Sequence, residues 1–515
     1  MLNSVYLENF QGFGQGSSVR LAPFTLIFGP NSAGKSSIGR ALRLMQQSFE
    51  PNPAMNSNRF TTAGASINLA SYKNLVFNHD VGNVVTLGAE VRGLGLNEFS
   101  CARFTFDADG LTELVVSGMF ECDDGPEEMR IVFEKVYTKD TALEDASEWV
   151  VSDQSRETML KLVELYKHAL AADLQGQDPG DFLIPSLFRA SRLLKRMHDN
   201  NAEALAKRVE SAFTSAEILE TIFHVSVRGF TPSYGWQEGP LAPRKMGEEQ
   251  VEKSLNLIER NILASIQDNW IHVLGQVQRT LIGGLKHIGG VREIPDRIQL
   301  VSSDSNSYSL IAKNLEYRTL ISDWMEGLTD GSYKLRYQEL KSDANDAGIL
   351  GEVGFMVLED LSTGANVSFQ DVGVGLSQVL PILSWLAGVS SNVAQEGTQH
   401  NLKSQSNILL IEQPELHLHP RMQGKLLDLL LDVGKVSDGS IQIIAETHSE
   451  AFLLKLQSAI RSGRVDPKDV ALVYVERVEG LGSKATELEL TPDGDIAGKW
   501  PDLTNFAAVR FEQTK

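Results

Sequence analysis

A short apolar run, Thr25-Leu26-Ile27-Phe28, ends on Gly29-Pro30-Asn31-Ser32-Ala33-Gly34-Lys35-Ser36 and continues without a break into SSIGRALRLM, where apolar residues recur at helical spacing. Few folds accept that order. The glycines let successive backbone N–H groups turn inward toward one point, which suits a phosphate group, and the helix that follows adds the positive end of its dipole. Lys35 supplies a charge for terminal phosphate oxygens and the Ser36 hydroxyl a ligand for Mg²⁺. The sequence therefore predicts a phosphate loop over residues 29–37, Ser37 included, between a buried strand and a helix that begins at Ser36.

Two later apolar runs carry the polar groups such a loop needs. Asn407-Ile408-Leu409-Leu410-Ile411-Glu412 reads as a buried strand ending in a carboxylate, and Glu412 is expected to hold Mg²⁺ through water. IQIIAETHSEAFLLKL reads as a strand, a polar tip and a helix started by Ser449 or Glu450. Thirty-six residues separate Glu412 from His448, which leaves room for one helix between adjacent parallel strands.

At IEQPELHLHP the chain resembles the ABC ATPases of the chromosome-maintenance (SMC), double-strand-break-repair and overcoming-lysogenization-defect (OLD) groups, which spell two acids, Pro, Glu and then Leu-His-Pro. Thr447-His448-Ser449 is similar to their switch-histidine segment. The resemblance implies an α/β fold, an ABC-type P-loop ATPase head that binds ATP with Mg²⁺, with His448 sensing the γ-phosphate. Gln413 stands where those proteins carry the general base for water, and an amide orients water without accepting its proton. Slow hydrolysis follows unless Glu415 or Glu446 supplies the carboxylate; both alternatively are solvated loop acids. His417 and His419 lack a third ligand in the text around them, which argues against a metal, and the resemblance implies that they sit in the loop touching the opposite subunit.

DVGVGLSQVLPIL resembles the variant signature element of OLD-like proteins, and that resemblance implies that Gly373, Gly375, Ser377 and Gln378 donate to the γ-phosphate of ATP held by another copy. Each copy alone would then be incomplete, and ATP would join a head-to-tail homodimer or a higher homo-oligomer. Asn9 and Phe10 fall in the strand-turn where this family meets the base or ribose, or else belong to core and turn. Asn78, His79 and Asp80 fall where a glutamine-loop equivalent would lie. HIGGVREIPDR is similar to a Gly-Pro-Leu-Arg segment of bacterial relatives, with Arg292 or Arg297 facing nucleotide, nucleic acid or solvent.

Periodicity divides the 515 residues into an N-terminal lobe over 1–140 with a β-rich subdomain, a helical arm over 141–287, and a C-terminal lobe over 288–515 with parallel-strand patterning. The fold expected is thus a mixed and antiparallel sheet lobe plus a parallel-sheet lobe with an inserted helical arm. With 47 Lys and Arg against 67 Asp and Glu, the net charge of −20 opposes indiscriminate binding to nucleic acid or anionic membranes. Any nucleic-acid contact must be local, and the run Arg189, Arg192, Lys195, Arg196, Lys207 and Arg208 is either that patch or a solvated face. Cys101 and Cys122 are too few for a disulfide framework, and no stretch approaches the roughly 18 apolar residues of a membrane helix, so a cytoplasmic, unanchored protein is expected. Only 67 residues follow His448, too few for the toprim nuclease module of OLD proteins. These features favour an ATP-gated switch in antiviral defence that controls a separate effector, a nuclease or toxin, over a repair clamp or a non-hydrolysing scaffold.

Overall fold

The computed structural model describes residues 1–49, 60–92, 99–122, 125–136, 148–176, 207, 224–228, 231–233, 273–292, 299–300, 311, 314–340, 353–390, 407–436 and 441–497. In chain order, β1 (Leu2–Glu8) and β2 (Ser17–Arg20) precede β3 (Phe24–Phe28), the phosphate loop and α1 (Lys35–Phe49). Then come β4 (Val85–Arg92), β5 (Phe99–Asp107), β6 (Gly110–Cys122), β7 (Gly125–Val136), β8 (Glu148–Val151), α2 (Asp153–Leu174), β9 (His224–Arg228) and β10 (Thr231–Ser233). The C-terminal part runs β11 (Leu285–Ile288), β12 (Gln299–Leu300), α3 (Leu315–Leu328), β13 (Tyr333–Leu340), β14 (Val353–Asp360), β15 (Asn366–Ser368) and α4 (Val374–Ser390). It ends with β16 (Asn407–Glu412), α5 (Pro420–Val436), β17 (Ile441–Glu446), α6 (Glu450–Arg461), β18 (Val470–Val478) and β19 (Gly482–Leu488).

The chain forms two compact units, one of residues 2–18 and 40–282, the other of residues 1, 19–39 and 283–515. The first holds strands ordered β10-β9-β8-β7-β6-β5-β4-β1, antiparallel throughout. Alternation in the sequence explains its core: Ala102, Phe104 and Phe106 on β5, Leu114 and Val116 on β6, and Met129, Ile131 and Phe133 on β7 are all buried on one face.

The second unit is built on a sheet ordered β11-β16-β17-β3-β18-β19, parallel except for the β18–β19 edge pair. Every residue of β3 and β17 is buried, as expected for strands covered on both faces, and Leu409, Ile411, Ile443 and Ala445 pack with Leu426, Leu430, Phe452 and Leu456 of α5 and α6. A smaller antiparallel sheet, β12-β14-β13 with β15 paired to β14, belongs to the same unit.

The expected α/β class, with an antiparallel part and a parallel part, is therefore present. Over 141–287, where a helical arm is expected, the described residues include α2 and also strands. Within it β8, β9 and β10 extend the antiparallel sheet beyond β7, and β11 joins the parallel one, because short β-branched runs such as EWVV and HVSVR pair an edge that would otherwise expose its backbone groups. The phosphate loop, placed by sequence with the N-terminal lobe, shares a compact unit with 283–515. Of the basic run, all but Lys207 lies outside the described residues, as does Arg297. No described helix is long and apolar enough to cross a membrane.

Candidate functional site

In open parallel sheets ligands meet the carboxyl ends of the strands. Here β3 ends at Phe28, just before Gly29, β16 at Glu412 and β17 at Glu446, with β17 lying between the other two. Glu412 and Glu446 are register partners, and α5 connects their strands as the spacing to His448 requires.

The loop needs its glycines. Gly29 has φ 147°, and a Cβ there would sit 2.0 Å from the Val475 carbonyl oxygen; Gly34 has φ 103° and Ser32, at the exposed tip with Pro30 and Asn31, has φ 61°. Ala33 and Ser37 are buried beneath it, and Ser37 N donates to Gly34 O at 3.0 Å, closing the first turn of α1. Lys35 is only 4% exposed, and its ammonium donates to Gly29 O at 3.1 Å and Pro30 O at 2.7 Å. Burial pushes its pKa below the ordinary lysine value, while the nearby Glu446 and Glu415 carboxylates oppose that shift.

The carboxylate bonded to the loop is that of Glu446, which accepts from Ser36 Oγ at 2.9 Å and is 7% exposed. Glu412, expected to hold Mg²⁺ through water, lies one strand further from the loop. Its Oε1 instead meets His287 Nε2 of β11 at 2.9 Å, because β17 separates β16 from β3. His287 belongs to no motif; it is 125 residues away in sequence and only the β11–β16 pairing brings it near.

Gln413 turns out of β16 with φ 45°, a conformation that costs a non-glycine residue about 1–2 kcal/mol. Its N donates to Glu446 O at 2.7 Å, and its side-chain oxygen lies over Gly290. Glu415 Oε1 accepts from His448 N at 2.7 Å, whereas its buried Oε2 has no hydrogen-bond partner. Burial of the His448 ring and the charge of Lys35 push its pKa down, against a backbone hydrogen bond with Gly29, so a neutral imidazole stands beside the phosphate loop at pH 7. Ser449 caps α6, its Oγ accepting from Phe452 N at 3.1 Å.

Burial also pushes the Glu415 carboxyl above its ordinary range, opposed by hydrogen bonds from His448 and Thr447 and by Arg292. A carboxyl whose pKa rises on folding gives its full stability below the unfolded value, near 4.5, and loses it as the pH rises through the folded value. Unfolding titrations should therefore favour wild type over Glu415→Gln increasingly as the pH falls from about 7 to 4.5. A difference constant over that range would contradict the assignment.

The signature residues divide. Gly373 is exposed with nothing within 4 Å of a Cβ built on it, and Gly375 packs so tightly that a Cβ would meet His417 O at 2.5 Å. Ser377 and Gln378, expected to face a partner's phosphate, point inward. Ser377 is 0% exposed and donates to Val374 O at 2.8 Å; Gln378 is 3% exposed, its amide exchanging hydrogen bonds with the backbone of Arg292. Phe10 is fully buried, and Asn9, φ 50°, accepts from Phe77 N at 2.9 Å; both belong to the antiparallel unit. Asn78 and His79 adopt left-handed backbone, with Asp80 Oδ1 accepting from Gly82 N, in the same unit. His419 Nδ1 accepts from Arg421 N at the start of α5 and His417 is exposed; among the described residues no cluster of three or more His, Cys, Asp or Glu could hold a metal.

Two family models match the chain, one described as an AAA ATPase domain over residues 198–453 and one as an AAA domain over residues 4–262. No curated protein matches it. Among solved structures it is similar to an Smc head domain with an extended coiled coil from Pyrococcus furiosus, at 12% identity over 95% of this chain and 96% of that one, with a TM-score of 0.37. The SMC head domain from Thermotoga maritima aligns at 11% identity over 95% of this chain and 99% of that one, with a TM-score of 0.33.

Proposed function

This chain belongs to the AAA domain family of ATPases, and from that premise we propose that its parallel-sheet unit binds ATP with Mg²⁺ and hydrolyses it slowly. One observation carries the proposal: Lys35, Ser36 and the Glu446 carboxylate come together where β3 and β17 end side by side. Those residues suit the group they would hold, since the glycine backbone of the loop accepts no side chain and a hydroxyl already faces a carboxylate. Mg²⁺, when bound, screens phosphate charge. Ser36 and Glu446 would hold it, with Glu412 on the next strand, while Lys35 and the first N–H groups of α1 would neutralise phosphate oxygens and His448 would attend the terminal one.

Slow turnover rests on the acids that remain. Gln413 orients water without taking a proton, and Glu415 is half-buried with one oxygen held by His448 N. An ATP complex that persists suits a switch better than a motor. The resemblance of IEQPELHLHP and DVGVGLSQVLPIL to OLD-like ABC proteins supports placing that switch in antiviral defence, with a separate nuclease or toxin as effector. Loss of hydrolysis altogether, leaving a nucleotide-bound scaffold, is the limit that Gln413 also favours.

In this reading two copies meet head to tail, and the exposed Gly373–Val374 start of α4, rather than Ser377 and Gln378, addresses the partner's nucleotide. Sedimentation velocity is expected to show ATP with Mg²⁺ shifting monomer to dimer. Gly373→Arg should abolish that shift without harming the monomer, since no atom lies within 4 Å of the new Cβ. A nucleotide-independent mass, or a dimer indifferent to Gly373→Arg, would refute the geometry.

A further inference from the structure

Arg292, just after β11, is 6% exposed, and its hydrogen bonds run in two directions. Toward α4, its backbone N donates to Gln378 Oε1 at 2.9 Å, its backbone O accepts from Gln378 Nε2 at 2.7 Å, and Nη1 donates to Gln378 O at 3.2 Å. Toward β16, Nη2 donates to Glu412 O at 2.7 Å and Gln413 O at 3.1 Å. A second contact joins α4 to the turn that follows β16, for Gly375 of α4 lies against the His417 carbonyl. That turn, between β16 and α5, is bracketed by two left-handed non-glycine residues, Gln413 at φ 45° and His417 at φ 62°, and the carbonyls of those two residues make the ties to Arg292 and α4. Backbone in that region persists only where its surroundings over-determine it. Inside the turn, Glu415 accepts from His448 N, so the ties reach the residue beside Lys35.

We propose that Arg292 is a positioning residue that couples α4 to the turn after β16, so that a contact made at the exposed Gly373–Val374 end of α4 is read at Gln413 and Glu415. Its consequence for hydrolysis rests on the ATP assignment above; the mechanical coupling does not. The planar guanidinium suits the task because its fork addresses Gln378 and the carbonyls of Glu412 and Gln413 at once, which a single ammonium does not. The signal between the elements thus passes through a buried side chain that contacts no part of the phosphate loop's own hydrogen bonds.

Amide hydrogen exchange on the full chain without nucleotide tests the coupling. The reporters are Leu416 N, bonded to Gln413 O, and Leu418 N, bonded to Glu415 O. Arg292→Lys is expected to speed their exchange about tenfold together with the first turns of α4. Gln378→Met should do the same, although residue 378 bonds to neither reporter, and it carries the test if Arg292→Lys does not fold. In single-turnover assays Arg292→Lys should slow hydrolysis about tenfold while ATP affinity stays within about threefold, a split that general loss of structure would not give. Unchanged exchange at Leu416 and Leu418 in both variants overturns the coupling, whatever ATP does; faster exchange in a protein that binds no ATP upholds the coupling and overturns only the ATP assignment.

Discussion

Replacing Gln413 by glutamate is expected to raise the single-turnover rate of ATP hydrolysis by about 10²–10⁴-fold, the usual worth of general-base assistance. The change is nearly isosteric, and the features that place residue 413 are backbone ones. Its N donates to Glu446 O, its O accepts from Arg292, and its φ of 45° is equally accessible to Glu. What changes is the side-chain oxygen over Gly290, which becomes basic. The neighbouring Glu412 and Glu446 would raise the pKa of a new carboxylate, which strengthens it as a proton acceptor. Rapid-quench assays with excess enzyme read the effect. Should wild type hydrolyse quickly and Gln413→Glu alter nothing, the base is elsewhere, and whichever of Glu415→Gln or Glu446→Gln stops turnover without weakening ATP binding identifies it.

Lys35→Ala is expected to weaken ATP binding by at least about 100-fold, since hydrogen bonds to charged groups are each worth about 1.5–3 kcal/mol and the ammonium would face more than one phosphate oxygen. The fold should survive. In the protein the ammonium donates to the carbonyls of Gly29 and Pro30, and removing it also removes the cost of burying a charge. Calorimetric titration gives the affinity and thermal unfolding the control. Equal affinity in a folded variant would place the nucleotide away from this loop.

The phosphate loop was legible because its strand, glycines, lysine and helix are contiguous, so local text fixes local geometry. The parallel strands were legible as continuous apolar runs, but such runs do not say which strand lies beside which. That order decides whether Glu412 or Glu446 reaches Ser36, and it depends on β17 entering between β16 and β3. Ser377 and Gln378 read as outward donors because DVGVGLSQVLPIL resembles the signature element of OLD-like proteins. A contrary signal was present: GLSQVLPILSWLAGV is apolar around the whole helix, which marks a buried helix whose polar groups bond internally. Arg292, read as facing ligand or solvent, answers Gln378 across 86 residues, a pairing that no periodicity encodes.

The central claim is that this chain holds ATP with Mg²⁺ at Lys35, Ser36 and Glu446 and releases it slowly as product. Its most direct test is to mix wild type and Lys35→Ala with radiolabelled ATP and Mg²⁺, remove free nucleotide by rapid gel filtration, and identify what stays bound over time. The account predicts unhydrolysed ATP on wild type, converting to ADP at well under the ~1 s⁻¹ lower end of common enzyme turnover, and no label on Lys35→Ala. Label absent from wild type, label retained by Lys35→Ala, or ADP alone at the first time point would contradict it.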